Sequence, residues 1–391
     1  MKFEANRQLM LEAAKNVAKI MPSNAPVDVL NGILVECNDD TGEVHMTATN
    51  YEVSIQQKIH ASVEASGAIL INARLLVGMM NKLEGEYVTL SVDEQDILKV
   101  TGGRCIYKII CLSAKSYPKP IMPFPEESAI MTGICSLAKR TVFVVGKDES
   151  KPVLQCVQVK LKNNAVHAAA SDGNRMMLVK DAAEHTDERE FLLPGRALRM
   201  LASISNDTDV FEVGDIGSEV VFVRGDMIFT IRKMATGNYM DTNALIKNFK
   251  TTYTAIADAR QIKDTLNLIS VTAQAGGINE PVNLVLSDDE ISIRCDSDYS
   301  NASSAVPANV SKETPETGFY YDGSALIKLF QVVRGKIKIE LDARGFMLVK
   351  TKNEAYFQAP VRETAKKGNA KAKEPKRAKG AKDVKEIEEV A

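Results

Sequence analysis

The chain has 391 residues, 45% of them hydrophobic and 26% charged, with a formal net charge of −2 at pH 7. That length suits two to four domains with real cores, and no apolar run approaches the ~18 residues that cross a membrane. A net charge near zero excludes a uniformly basic nucleic-acid binder, so any polyanion surface must arise from how the charges are distributed.

Taken in chain order, the apolar spacing predicts a helix over 6–20, where Leu9, Leu11, Ala14, Val17, Ala18 and Met21 recur at helical intervals. Strands follow over 29–35 and 44–48, a second helix over 73–83, then strands over 87–92, 97–100 and 106–111. A proline-rich linker (Pro118, Pro120, Pro123, Pro125) occupies 116–127. The order then recurs: helix 132–144, strand 153–159, helix 195–204, and strands around Phe211, 220–223 and 229–231. After a linker over 237–252 come helix 258–271, strand 282–286, helix 322–334 and strands 337–341 and 346–349. Beyond Arg362 the chain is Lys/Ala-rich and poor in large apolar residues, which predicts a disordered tail over 363–391. The tail either adds non-specific contact with nucleic acid or is simply solvated.

Two anchors show that these are three copies of one unit. Pro26, Pro152 and Pro281 each open a Pro-Val run, spaced 126 and 129 residues apart; Ala73, Gly195 and Gly323 each open a helix, spaced 122 and 128 apart. A repeat this long is a whole domain rather than a solenoid unit. The expected class is α+β: three repeated domains (1–122, 123–245 and 246–362), each with two helices packed on antiparallel sheets.

The six helices carry Arg7, Lys15, Lys19, Arg74, Lys82, Lys139, Arg140, Arg196, Arg199, Arg260, Lys263, Lys328 and Arg334, against only Glu12, Asp258, Asp264 and Asp322. Outside helices and tail, 27 basic residues face 41 acidic ones. Lys and Arg are good helix formers and often sit on solvated faces, but Glu is an equally good former and is nearly missing. Positive helices from repeated domains are therefore expected to line one surface that meets phosphates without reading bases.

Catalytic and metal patterns are missing. No phosphate-binding Gly loop or His-Glu-x-x-His occurs, and the histidines are only His45, His60, His167 and His185. His45 and His167 fall at comparable points of units one and two, which points to structural roles. Asp39-Asp40, Asp288-Asp289 and Ser171-Asp172-Gly173 read as turns. The six cysteines form no Cys-x-x-Cys pair, and most sit in strand-like runs, so reduced, buried thiols in a cytosolic protein are expected. Met1-Lys2-Phe3-Glu4 carries no signal-peptide pattern. No cofactor, metal or membrane partner is expected.

Ala170-Ser-Asp-Gly-Asn-Arg-Met176 is similar to Ala-Thr-Asp-Gly-His-Arg-Leu of the bacterial sliding clamps, the beta subunits of DNA polymerase III. Lys151-Pro-Val-Leu-Gln155, Leu30-Asn-Gly-Ile-Leu34, Ala48-Thr-Asn50 and the closing Ala359-Pro-Val-Arg362 also resemble that family, over roughly residues 1–362. The resemblance implies a head-to-tail homodimeric ring around duplex DNA, a processivity factor that is not an enzyme. Its partners would be the polymerase III catalytic subunit, a clamp loader and other proteins with clamp-binding peptides, in the cytoplasm at the nucleoid. It further implies a peptide pocket at Leu154, Ser171, Gly173, Asn174, Arg175, Met176, Phe346, Phe357, Ala359, Pro360, Val361 and Arg362. A dimer contact is implied at Arg104, Tyr107, Val271 and Thr272. Asn174, Gln358, Ala359 and 237–242 depart from the family pattern, which bears on partner identity, including a second clamp carried by a mobile element. An alternative is a clamp-like scaffold that does not encircle DNA.

Overall fold

The structure is a computed structural model that describes residues 1–21, 28–95, 97–182, 188–235, 239–274, 280–297, 300–311, 314–315 and 317–361. Pro26, His185, Arg362 and the tail over 363–391 lie outside the described residues.

Seven helices occur among the described residues: α1 (Arg7–Ala18), α2 (Ala73–Lys82), α3 (Ile134–Thr141), α4 (Gly195–Ser203), α5 (Thr242–Lys247), α6 (Ala259–Gln274) and α7 (Gly323–Val332). Apart from α5, each follows a strand directly or after one residue, and four start on an Asn or Asp delivered by the chain just before them. Asn6 Oδ1 accepts the amides of Gln8 and Leu9 at 3.0 and 3.1 Å, and Asn72 Oδ1 those of Arg74 and Leu75 at 3.0 and 3.3 Å. Asp258 and Asp322 do the same for α6 and α7. Such caps satisfy amides that the helix itself leaves open.

Each repeated unit is built twice over from a strand, a helix and further strands. In the first unit, Lys2–Asn6, α1, Gly32–Asn38, Glu43–Thr49 and Val53–His60 form one half; Gly67–Asn72, α2, Tyr87–Val92, Ile97–Gly102 and Cys105–Ile110 form the other. The halves exchange their first strands: Lys2–Asn6 pairs with Tyr87–Val92, and Gly67–Asn72 with Gly32–Asn38. The second unit repeats the exchange with Ala129–Thr132 against Val210–Ile216 and Arg189–Pro194 against Cys156–Lys162. The third does so with Tyr253–Asp258 against Lys336–Leu341 and Phe319–Tyr321 against Val282–Ser287. Within each unit the two long helices pack on one another, α1 on α2, α3 on α4 and α6 on α7. Their apolar faces join the inward strand residues in a core that runs through all three units.

Backbone pairing also joins the units. Met227–Arg232, the third strand after α4, pairs antiparallel with Val53–His60, the third strand after α1, from Met227↔Gln57 to Ile231↔Val53. Glu354–Gln358, third after α7, pairs the same way with Arg175–Ala182, third after α3, from Gln358↔Arg175 to Glu354↔Val179. The resulting sheets have eight and twelve strands, with a separate five-stranded sheet in the first unit. The remaining third strands have no such partner among the described residues. Cys105–Ile110 pairs with Ile97–Gly102. Asn301–Val310 pairs with Glu290–Asp296 and, on its other side, only at 308–310 with Tyr253–Asp258.

The expected strands at 29–35 and 153–159 begin later than read. Short 3-10 turns, Asp28–Asn31 and Pro152–Gln155, precede strands Gly32–Asn38 and Cys156–Lys162. Pro152, with its fixed φ and no amide hydrogen, opens the second turn. The helix expected over 132–144 shortens to Ile134–Thr141: Gly133 sits at φ +70°, and a 3-10 turn over Val142–Val144 ends it. The supposed linker 237–252 contains α5, started by Asp241 Oδ1 accepting the Ala244 amide at 3.0 Å. All six thiols are free; four are buried, Cys111 is half-buried, and Cys105 is exposed on an edge strand, against the expectation of burial.

Candidate nucleic-acid interface and peptide-docking site

The helix cations divide by what holds them. Lys15, Lys19, Arg74, Lys82, Lys139, Arg196, Arg199, Arg260, Lys328 and Arg334 are exposed, and Lys263 is half-exposed. Of these, Lys139 pairs loosely with Asp207 at 3.6 Å and Arg260 with Asp264 at 3.8 Å, contacts that contribute little at a surface. Lys19 reaches the Ser203 carbonyl and Arg196 reaches Glu52, both linking the first unit to the second. Arg7 is engaged differently: its Nε and one Nη donate to the carbonyls of Gly85 and Met80 at 2.9 Å, tying down the end of α2. Arg140 is 15% exposed and binds Asp181 and, at 3.2 Å, Glu354, so it fastens the second unit to the third rather than facing solvent.

The described residues expected to form the peptide pocket converge where the second and third units meet. Gly173, at φ +95°, forms the tip of a turn that Asp172 organises: its Oδ1 accepts the amides of Asn174 and Arg175, and its Oδ2 binds the Arg175 side chain at 2.6 and 2.8 Å. Ser171 Oγ donates to the Arg175 carbonyl at 2.7 Å and accepts the Gly173 amide. A Cβ on Gly173 would lie 3.7 Å from Leu154 Cδ1, which places the Pro152–Gln155 turn beside this tip. From the other side, Met176 pairs with Phe357 and the Ala359 amide donates to the Asn174 carbonyl at 2.9 Å. Val361, 40% exposed, and Pro360 end the described chain here, with the Val361 amide on the Tyr320 carbonyl.

Sequence reading missed three contributors to this junction, Phe249, Arg344 and Tyr239. Phe249 meets Phe357 edge to face, Phe346 stacks on Phe357 with ring centroids 5.5 Å apart, and Arg344 covers Phe346 at 4.8 Å. Tyr239 stands seven residues beyond strand Met227–Arg232, as Tyr117 stands seven beyond Cys105–Ile110. Tyr117 is buried, accepts the Thr49 amide at 2.8 Å, and is pushed by burial to a pKa of about 12. Burial likewise raises Tyr239 above the ordinary tyrosine range. The matched offset was the signal available in the sequence.

At the free edges, Val271 is 74% exposed, but Thr272 turns inward and is buried. Tyr107 packs against the core of its own unit. The apolar side chains that do project are Ile106 and Ile110 on the first-unit edge, 56% and 85% exposed, and Leu268 beside Val271 on α6 at 71%. Because α6 packs against Asn301–Val310, the second pair lies next to the other free edge. Arg104 is exposed in the turn before Cys105.

Solved sliding clamps share this fold. The DNA polymerase sliding clamp of Bacillus subtilis superposes with a TM-score of 0.84 at 22% identity, covering 93% of this chain and 100% of that one. The DNA polymerase III beta subunit of Thermotoga maritima gives 0.82 at 17%, with the same coverage. In sequence, the beta sliding clamp of Bacillus subtilis is 25% identical over 373 residues, 90% of this chain and 97% of its own. That of Synechococcus elongatus is 28% identical over 317 residues, 78% and 83% of the two chains. Three twice-built α+β units sharing sheets across their junctions therefore define a clamp-type protein. The family models for the N-terminal and central domains of the DNA polymerase III beta subunit match residues 1–122 and 132–241, and the chain belongs to that family.

Proposed function

We propose that this protein is a non-catalytic DNA sliding clamp made of three domains (1–122, 123–245 and 246–362). Two copies would close head to tail into a ring that encircles duplex DNA in the cytoplasm. The observation that carries this reading is the repeated junction. The third strand after one helix meets the third strand after another twice within the chain, leaving Cys105–Ile110 and Asn301–Val310 as the unused pair. Joining the last unit of one copy to the first of its partner by the same pairing closes a C2 ring and removes both open edges. Exposed Ile106, Ile110, Leu268 and Val271 support an apolar seal there.

The exposed cations of the helices would then face the duplex, meeting phosphates sequence-independently, so the ring holds DNA by topology and can slide. Polymerase III and a clamp loader would dock peptides at Leu154, Met176, Phe346 and Phe357, beside Arg175. Tethering there raises the polymerase's effective concentration at the primer end. Light scattering over a dilution series tests the assembly: a species of twice the 42.8 kDa chain mass is expected. A monomer at micromolar concentration would instead favour the scaffold reading.

A further inference from the structure

We propose that the outer face at the junction of the second and third units carries a second binding site, a cationic groove for an acidic, extended segment of a protein partner. Placing that partner rests on the peptide-docking reading above; the groove's preference for acidic ligands does not.

The groove has a volume of about 700 Å³ and lies between the outward face of the second unit's sheet, the 239–246 segment and the turn over 350–355. Alternation along the strands sends Val157, Val159 and Leu161 into the core and Gln158, Lys160 and Lys162 outward. Pairing sets Lys160 opposite His167 and His167 opposite Lys180, so two lysines stand in one row across adjacent strands with the His167 imidazole between them. Two lysines on one row of a concave site favour an anionic occupant. Lys352 adds charge from the far wall; Lys350 is already held by Glu340 at 2.6 Å and Lys160 is near Glu190 at 3.3 Å. Of the acids lining the groove, Glu354 is engaged by Arg140 and Asp241 starts α5.

The shape selects among anions. Lys160 and Lys180 stand two strand spacings apart, roughly 10 Å at the backbone, a spread that suits a ligand carrying several anionic groups. An extended peptide brings every second side chain to the same side about 7 Å apart, which suits alternate carboxylates. The neighbouring row is Gln158, Ala169, Leu178 and Ala355, a shallow aliphatic floor that suits aliphatic side chains rather than stacked bases. Leu178↔Ala355 lies two residues along the same strand pair from Met176↔Phe357, so a peptide leaving the docking pocket runs straight into the groove.

The test is fluorescence anisotropy of a labelled (Glu-Val)4 octapeptide with the full chain at low salt. Saturable binding is expected, weakened at least tenfold by K160Q/K180Q and unchanged by K15Q/K139Q on the helices. Equal binding by K160Q/K180Q, or no binding to the parent protein, would overturn the proposal. So would a finding that K160Q/K180Q loses affinity for labelled dT20 but not for the peptide, which would make the groove a nucleic-acid surface. An unchanged melting temperature confirms that K160Q/K180Q is folded. The probe carries no clamp-binding motif, so its failure leaves the docking reading standing, and failure of docking leaves this measurement intact.

Discussion

Arg140 shows how a residue's chemistry is decided by its neighbours. In the sequence it is one more helix cation; in the structure its guanidinium joins Asp181 on one unit to Glu354 on the next. Removing one partner from such a largely buried network leaves charges unpaired and costs about 3 kcal/mol. Arg140→Ala is therefore expected to lower the unfolding free energy by that order in denaturant titration, while a change below about 0.5 kcal/mol would show that the network is decorative. His167 behaves differently. Burial first, then Lys180 and Lys160, hold its pKa below the ordinary value, whereas in the unfolded chain it titrates near ~6.5. As pH falls through that value the unfolded state takes up the proton more readily, so stability is lost on acidification. His167→Gln should make the decline in stability between pH 7 and 5 shallower than in the parent; parallel declines would contradict this. Neither role was legible from the residue alone, because each depends on strands far apart in sequence.

Elements were more legible than contacts. The six longer helices were readable because apolar residues recur at 3.6-residue spacing; α5, six residues long, was read as part of a linker. None of the strands before the six longer helices was read: segments such as Gly67–Asn72 are short, and the exchange that buries them against the other half is a tertiary event. Periodicity also cannot show that Tyr107 faces inward while Ile106 and Ile110 project; strand phase near an edge is set by pairing. The Tyr117 and Tyr239 offset was visible in principle, but only once both strand ends were fixed. Burying an isoleucine contributes roughly 1.5–3 kcal/mol, so Ile106→Asp with Ile110→Asp should raise the dimer dissociation constant on the order of a hundredfold or more. Sedimentation equilibrium checks this, with a circular dichroism spectrum like the parent's. Undiminished dimerisation would place the subunit contact elsewhere.

At the scale of the molecule, a net charge of −2 and a DNA-holding role are compatible because charge is sorted by element: exposed cations on the helices, acids on the strands and turns. A closed ring needs little affinity for DNA, since release requires an opening in either the protein or the DNA. The repeat itself was legible from two anchors, and with it the three-unit architecture. The junction rule that leaves one matched pair of edges unused emerged only from the register.

The most direct test of encirclement is retention of protein first assembled on nicked circular plasmid and only then chemically cross-linked, during gel filtration in 1 M NaCl. At that ionic strength phosphate contacts are screened, so only topology can hold the two together. Co-elution with the circle that is abolished by a single restriction cut is the result expected of a ring. Equal release from circular and linearised DNA would contradict it.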